Sequence, residues 1–384
     1  MIGTGLHCAS GSRAFAGPWS TQPLVGVAAE YASNPALFAV DPKSETHAAL
    51  FLDLPFNYDL DTVHYAVIPR VRYSDTTGYS SVTSNYWHLD ASAKFAGELD
   101  TATLTGLLYQ DSSLLYAGEV ANGIGVRRDT ASVDLNWQHA LTERVQFQLD
   151  TNAVRTRYAQ SAQLNSLVDY SDAGVSPAVS YAVDELNIVH LLGGVSRYKS
   201  LNGFTSSDSS NLQLGWDHHI DELWTVSATA GYSKSANQYH FAFLTIDTSQ
   251  KGAVYSVNLI RQSETLTATA TATRALTPTG FAYLTRQDTV NAMINYSYSE
   301  RLSFAAGMTW ANIAQPLITG GYSTRRFYDG DVSANWHWTE QWVLSLHVNK
   351  IGQQFGAQPG QHSVSPTSNG VSFEISRQFY RTNQ

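Results

Sequence analysis

The chain has 384 residues, 43% hydrophobic and only 14% charged, with a formal net charge of −9. No apolar run approaches the ~18 residues that a membrane-spanning helix needs, which excludes a helical membrane protein. No Lys/Arg stripe marks a nucleic-acid surface, and the length fits one large domain or two ordinary ones.

Residues 1–16 read as a residual or truncated export signal, with a disordered N-terminus as the alternative. They hold the single cysteine, Cys8, and end in Ala14-Phe15-Ala16 before Gly17, an A-x-A pattern of the kind signal peptidase cuts. Cleavage after Ala16 leaves no cysteine and therefore no disulfide framework. Residues 17–384 show no composition break and read as one domain.

From Val25–Tyr31 onward the chain alternates apolar and polar residues, the period of a strand with one apolar face. Val63, Tyr65, Val67, Val71 and Tyr73 form an early stripe that Pro69 interrupts. Trp87, Leu89, Ala91, Ala93 and Phe95 follow, then Ala131, Val133, Leu135 and Trp137. Hairpins become explicit where Leu212, Leu214, Trp216, His218 and Ile220 descend and Trp224, Val226, Ala228, Ala230 and Tyr232 return. Leu266, Ala268, Ala270 and Ala272 alternate with threonines. Val290 to Tyr298 turns into Leu302 to Trp310, and Val332 to Trp338 turns into Trp342 to Val348. Val371 to Phe379 is the last stripe. Short turns carry acidic residues, Asp61, Glu98, Glu143, Glu185, Glu222, Glu264, Glu300 and Glu340, about 36 to 45 residues apart. Longer Ser/Gly/Asn/Thr-rich connections, such as "SDTTGYSSVTSN" and "SLNGFTSSDSS", are expected on the other side. The count is about 18 strands, with 16 the next choice and both termini on the short-turn side.

Such strands build either a soluble sandwich or propeller or a transmembrane barrel. Three features favour the barrel. The stripes run about 10 to 14 residues, where soluble strands usually run about 5 or 6. Aromatics mark both ends of the stripes: Trp137, Trp216, Trp224, Tyr232, Tyr296, Tyr298, Trp310, Trp336, Trp338 and Trp342 are the expected girdles. Trp224 and Tyr232 would lie roughly 26 Å apart along a strand, or about 20 Å in depth at a usual tilt. Finally, the opposite faces carry Ser, Thr, Asn, Asp and His throughout, which a dry core cannot satisfy. The apolar face is therefore expected to meet lipid and the polar face water.

Turns of the Ser299-Glu300-Arg301-Leu302 type and the C-terminal "GVSFEISRQF" resemble Gram-negative outer-membrane barrels, in particular the β-barrel porin type 2 group associated with exopolysaccharide systems. The resemblance implies a bacterial outer-membrane location and a closing strand, Val371, Phe373, Ile375 and Phe379, read by the barrel-insertion machinery. Here "YRTNQ" follows Phe379, so the aromatic is not terminal. Implied partners are membrane lipid, lipopolysaccharide, and a small hydrophilic solute or polysaccharide; no nucleic acid is expected.

No G-x-S-x-G, H-E-x-x-H, P-loop or cysteine metal pattern occurs, so no enzyme, catalytic residue, cofactor or metal is expected. His218 and His219 are adjacent on a strand and face opposite sides. His337 and His347 lie across one hairpin, where a solvated pair is expected over a metal or acid–base role. The lumenal charges by parity are Arg70, Arg72, Asp90, Lys94, Asp134, Asp150, Asp217, Asp329, Asp331 and Glu374, with Asp329 and Asp331 expected near the outer mouth. Their acidic majority predicts mild cation preference; the alternative is that they pair across strands and merely hold the lumen together. The expected function is a porin-like channel for passive diffusion. Exopolysaccharide export and a plugged structural barrel are the alternatives, the plug being sought in Thr156 to Gly174.

Overall fold

The computed structural model describes residues 19–78, 85–112, 126–159, 167–241, 243–282, 284–316, 322–355 and 365–379. Residues 1–16, expected to be an export signal, lie outside them together with Cys8. Twenty β-segments are described: β1 (Trp19–Thr21), β2 (Leu24–Ala32), β3 (Glu45–Asp53), β4 (Phe56–Asp59), β5 (Val63–Gly78), β6 (Tyr86–Ala96), β7 (Asp100–Ser112), β8 (Arg127–Ala140), β9 (Val145–Tyr158) and β10 (Tyr170–Ala182). They continue as β11 (Asn187–Ser200), β12 (Thr205–His219), β13 (Trp224–Phe241), β14 (Leu244–Gln262), β15 (Leu266–Pro278), β16 (Leu284–Ser297), β17 (Leu302–Pro316), β18 (Tyr322–His337), β19 (Trp342–Phe355) and β20 (Thr367–Gln378).

All pairings are antiparallel between neighbours, and β2 closes the ring on β20 with Val27 opposite Ile375. The twenty segments make eighteen strands. Asp53 pairs with Arg70 and Phe56 with Val67, so β3 and β4 hold one continuous register on β5 across a break at Leu54-Pro55. In the same way β1 and β2 form one strand on β4 and β3, broken at Gln22-Pro23. Both breaks fall at prolines, which have no N–H to give the ladder. Pro69 sits at the same level, yet β5 runs straight through it: its carbonyl accepts from Leu54 N at 3.0 Å. The expected interruption of that stripe is in the partner strand.

Three- or four-residue turns occupy one end of the barrel, and every one contains the acid read from the sequence. The other end is more varied than expected. "SLNGFTSSDSS" is mostly strand, since β11 ends at Ser200 and β12 begins at Thr205. β5 extends to Gly78, taking half of "SDTTGYSSVTSN"; 79–84 lie outside the described residues. The longest hairpin, β13–β14, has strands of 18 and 19 residues joined by only two.

The burial pattern is inverted relative to a soluble protein. Leu212, Leu214, Met308, Val332 and Val348 are exposed at mid-strand, Leu214 by 68%, whereas Thr156, Ser207, Ser235 and Thr285 on the inner face are buried. Outward aromatics stand at two levels eight residues apart. Trp224 and Tyr232 on β13 are matched by Phe95 and Trp87 on β6, Tyr65 and Tyr73 on β5, and Trp336 and Tyr328 on β18. Tyr328 pairs with Trp310, placing that residue at the loop-end level. Trp137, Trp216, Tyr296 and Trp342 lie at the turn-end level, with Tyr298 and Trp338 in the turns themselves. Trp137 Nε1 donates to Asp100 Oδ1 and Trp216 Nε1 to Asn187 Oδ1, both at 3.1 Å, turning the polar edge of each indole toward the turn end.

Candidate functional site

The inner wall is the candidate site. With Val71, Trp87, Val133 and Val371 outward, strict alternation turns Arg70, Arg72, Asp90, Lys94, Asp134, Asp150 and Glu374 inward on β5, β6, β8, β9 and β20; the same parity puts Asp217, Asp329 and Asp331 on the inner faces of β12 and β18. Six further carboxylates share this face, Glu30, Glu45, Asp53, Asp59, Asp111 and Asp172, as do Arg128 and Arg325. Among the described residues thirteen acids therefore face five Arg/Lys.

Much of this charge is knitted across strands. Arg72 bonds Glu30 of β2 and lies 3.8 Å from Glu374 of β20, with Tyr86 over its guanidinium. Arg70 bonds Asp90 of β6 and lies 3.8 Å from Asp53 of β3. Arg72 thus bridges the closing seam, while Arg70 ties β3, β5 and β6 together on one side of it. Arg128 grips Asp111 through both oxygens at 2.9 and 2.6 Å while packing on Tyr109, which stacks on His88. Such two-pronged, charge-assisted contacts fix geometry firmly. His190 bridges Ser180 and Asp217, its Nε2 2.8 Å from the carboxylate.

The remaining inward acids form no ion pair with Arg or Lys among the described residues. Asp150 accepts from Asn136 at 2.5 Å and Gln148 at 2.7 Å. Asp134 takes part in no ion pair among the described residues, and Asp329 Oδ1 is buried without a hydrogen-bond partner. Asp329 and Asp331 are the eighth and tenth of the sixteen residues of β18, beside and just below the loop-end aromatic Tyr328, while the strand continues six residues beyond Tyr328. His347 lies opposite Ser333 and His337 opposite Val343, four residues apart along β18, about 13 Å. The two histidines therefore do not meet; His347 instead approaches Asp331 at 3.7 Å. His218 stacks outward on Trp216, and His219 bonds Thr225. No cluster of three or more metal-type ligands occurs among the described residues.

The charge is unevenly spread around the ring. From β13 to β17 the inward positions are Thr, Ser, Asn, Gln and a few apolar residues, as in Thr267, Thr269, Thr271 and Thr273 of β15. All of the inward acids and bases lie on the remaining arc, running from β18 through the seam to β12.

Two inward folds narrow the loop end. After β2, Asn34 caps a tight turn by accepting from Phe38 N and donating to Phe38 O, with Leu37 at φ 49°. Leu37 packs on the inner-face residues Ala311, Ile313 and Phe327. After β15, Thr279 accepts from Tyr198 Oη at 2.9 Å, and Gly280 accepts from Val168 N at 2.7 Å. That contact joins two connections that lie six strands apart around the ring, so it crosses the mouth. Tyr158, Leu167, Tyr170, Tyr198 and Leu284 fill the space beneath. The constriction sought in Thr156 to Gly174 is shared: much of that stretch is strand, 160–166 lie outside the described residues, and the β15–β16 connection supplies the other half.

No protein-family model matches the chain, and no curated protein matches it. Solved structures similar to it include Pseudomonas aeruginosa OpdK with vanillate, at 10% identity and TM-score 0.43, covering 94% of this chain and 98% of that one. P. aeruginosa OccK2 (OpdF) in complex with glucuronate is 8% identical, TM-score 0.45, covering 95% and 98%. The FrpB iron transporter of Neisseria meningitidis is 9% identical, TM-score 0.46, covering 95% and 83%.

By its own geometry the chain is a closed, eighteen-stranded antiparallel β-barrel with an apolar exterior band and a polar, charged interior.

Proposed function

We propose that this barrel is an outer-membrane channel that passes small hydrophilic solutes or ions by diffusion and prefers cations. The observation that carries the proposal is the excess of carboxylates on the inner face of an eighteen-stranded ring. At about 4.8 Å per strand and a usual tilt, such a ring is about 35 Å across its backbone, enough for an aqueous bore beyond the side chains. Fixed charge against low-dielectric walls then selects among the ions that enter. Support for the membrane comes from the exterior: exposed leucines and valines between two aromatic levels about 20 Å apart in depth suit lipid and would be an aggregation hazard in water.

Inward tyrosines, Tyr86, Tyr109, Tyr158, Tyr170, Tyr198 and Tyr239, gather at the loop end and none continues down the bore. A track of stacked rings for a polysaccharide is absent among the described residues, which favours diffusion over sugar export. Single-channel recording in a planar bilayer under a salt gradient tests the proposal. Steady conductance steps with a cation-selective reversal potential are expected, and Asp134→Asn with Asp150→Asn should move that potential toward zero. A folded protein that inserts but conducts nothing would refute it.

A further inference from the structure

The outer face carries a charged feature that conduction does not use. On β9 and β11, Arg155, Arg157, Arg197 and Lys199 are all exposed, and their parity puts them on the outward side with Val195 and Leu191. The strand between them presents small residues: Ser171 of β10 is the register partner of both Arg155 and Lys199, and Ala173 faces Arg197. The bases thus flank a shallow trough about 10 Å wide, two strand spacings. Two strands further on, Lys234 and Lys251 stand directly opposite one another across β13–β14. Like charges in that arrangement repel and destabilise unless an anion lies between them.

The acids nearby neutralise one base of the patch: Asp208 holds Arg197 through both oxygens at 2.6 and 2.9 Å, whereas Asp129, though opposite Arg157 in register, lies 3.5 Å from Arg127. Arg155, Arg157, Lys199, Lys234 and Lys251 take part in no ion pair among the described residues. Lys234 is two residues beyond Tyr232, just past the loop-end aromatic level, and the patch sits directly above the exposed apolar strip of Val195, Leu212 and Leu214. A ligand for both surfaces at once must carry anionic groups on its head and acyl chains below.

We infer that the β9–β14 arc binds the phosphorylated head of an outer-leaflet glycolipid, with the lipid's chains lying on the strip beneath. This rests on the membrane assignment above. Phosphate monoesters match exposed arginine and lysine in charge and hydrogen-bonding capacity, and the trough of Ser171 and Ala173 leaves room for a bulky head. Each base near an anionic headgroup contributes about fivefold in affinity.

The test uses the full chain refolded into phosphatidylcholine vesicles containing lipopolysaccharide or its phosphatase-treated form, followed by gentle solubilisation and measurement of glycolipid retained per barrel. The wild type should retain at least tenfold more of the phosphorylated form. The combined variant Arg155→Ser, Lys199→Ser, Lys234→Ser, Lys251→Ser should lose that preference while keeping wild-type conductance. Arg144→Ser with Arg301→Ser, which removes bases from the turn end, should retain it. Equal retention of the two glycolipid forms, or unchanged retention by the combined variant, overturns the inference, and so does complete displacement by inorganic phosphate, which would mark a simple anion site. Failure of the chain to enter vesicles of either composition would instead defeat the membrane assignment.

Discussion

The contact across the mouth can be loosened at a single atom. Tyr198 is fully buried, and its hydroxyl donates to Thr279 O at 2.9 Å, tying the β15–β16 connection to the inner wall of β11. Tyr198→Phe keeps the ring and removes that bond, a net loss of about 0.5–1.5 kcal/mol. The detached population of the connection should rise by about two- to twelvefold. Tyr198→Ala also opens a cavity among Tyr158, Tyr170 and Leu284, costing about 3–5 kcal/mol by analogy with other aromatic truncations, and should leave the connection largely free. The assay is single-channel recording: open-channel current and its flicker should increase in the order wild type, Tyr198→Phe, Tyr198→Ala. If all three give the same current and the same noise, the connection does not limit the pore.

Other perturbations test the exterior, the seams and the turns. Leu214→Arg places a charge in the middle of the exposed apolar band and should destabilise the lipid-embedded barrel by about 2–4 kcal/mol, read from its urea midpoint in vesicles; an unchanged midpoint would contradict lipid contact there. Gly231→Ala should break the β12–β13 seam, because an added Cβ would collide with Leu212 O and lie 2.6 Å from Gln213 Cα; loss of the folded, heat-modifiable band on gels is the expected readout. In the β10–β11 turn, Asp184 accepts from the Asn187 side chain and from Leu186 N, both at 2.8 Å, which holds its carboxyl below the ordinary carboxylate range. A lowered folded-state pKa contributes stability above the unfolded value, about pH 4, and loses it as pH falls through the folded one. Amide exchange at Leu186 should therefore quicken on acidification, and Asp184→Ala should make it fast at every pH.

The eighteen strands were legible in the sequence wherever one face is apolar and the other polar, because only there does hydrophobicity alternate. It failed at the loop ends, where both faces are polar: Ser206, Asp208 and Ser210 point outward as Ser207, Ser209 and Asn211 point inward, so β12 loses its stripe and resembles loop. The ten lumenal charges followed from parity, but their partners depend on register between strands distant in sequence. Glu30 meets Arg72 from 42 residues away, which no local pattern encodes. Likewise His337 and His347 looked adjacent until the hairpin's register put Ser333, not His337, opposite His347. Nothing in the composition foretold that the neutral and charged inward residues would separate into two arcs, though the threonine run of β15 was its visible end.

The closing seam has a consequence for assembly. Every pairing except one joins strands that follow each other along the chain, so the wall can be laid down hairpin by hairpin with little search. The exception brings Gln378 Nε2 to Gln22 Oε1 across 356 residues, with Phe379 N bonding Pro23 O beside it. Until that step, β2 and β20 are bare edges, each a template for pairing with another chain. Zipping them also brings together the two sides of the wall that Arg72 bridges, since its partners Glu30 and Glu374 lie on β2 and β20. The same residues that charge the lumen thereby act as the clasp of the cylinder, and neutralising Arg72 would register first in how fast the barrel shuts.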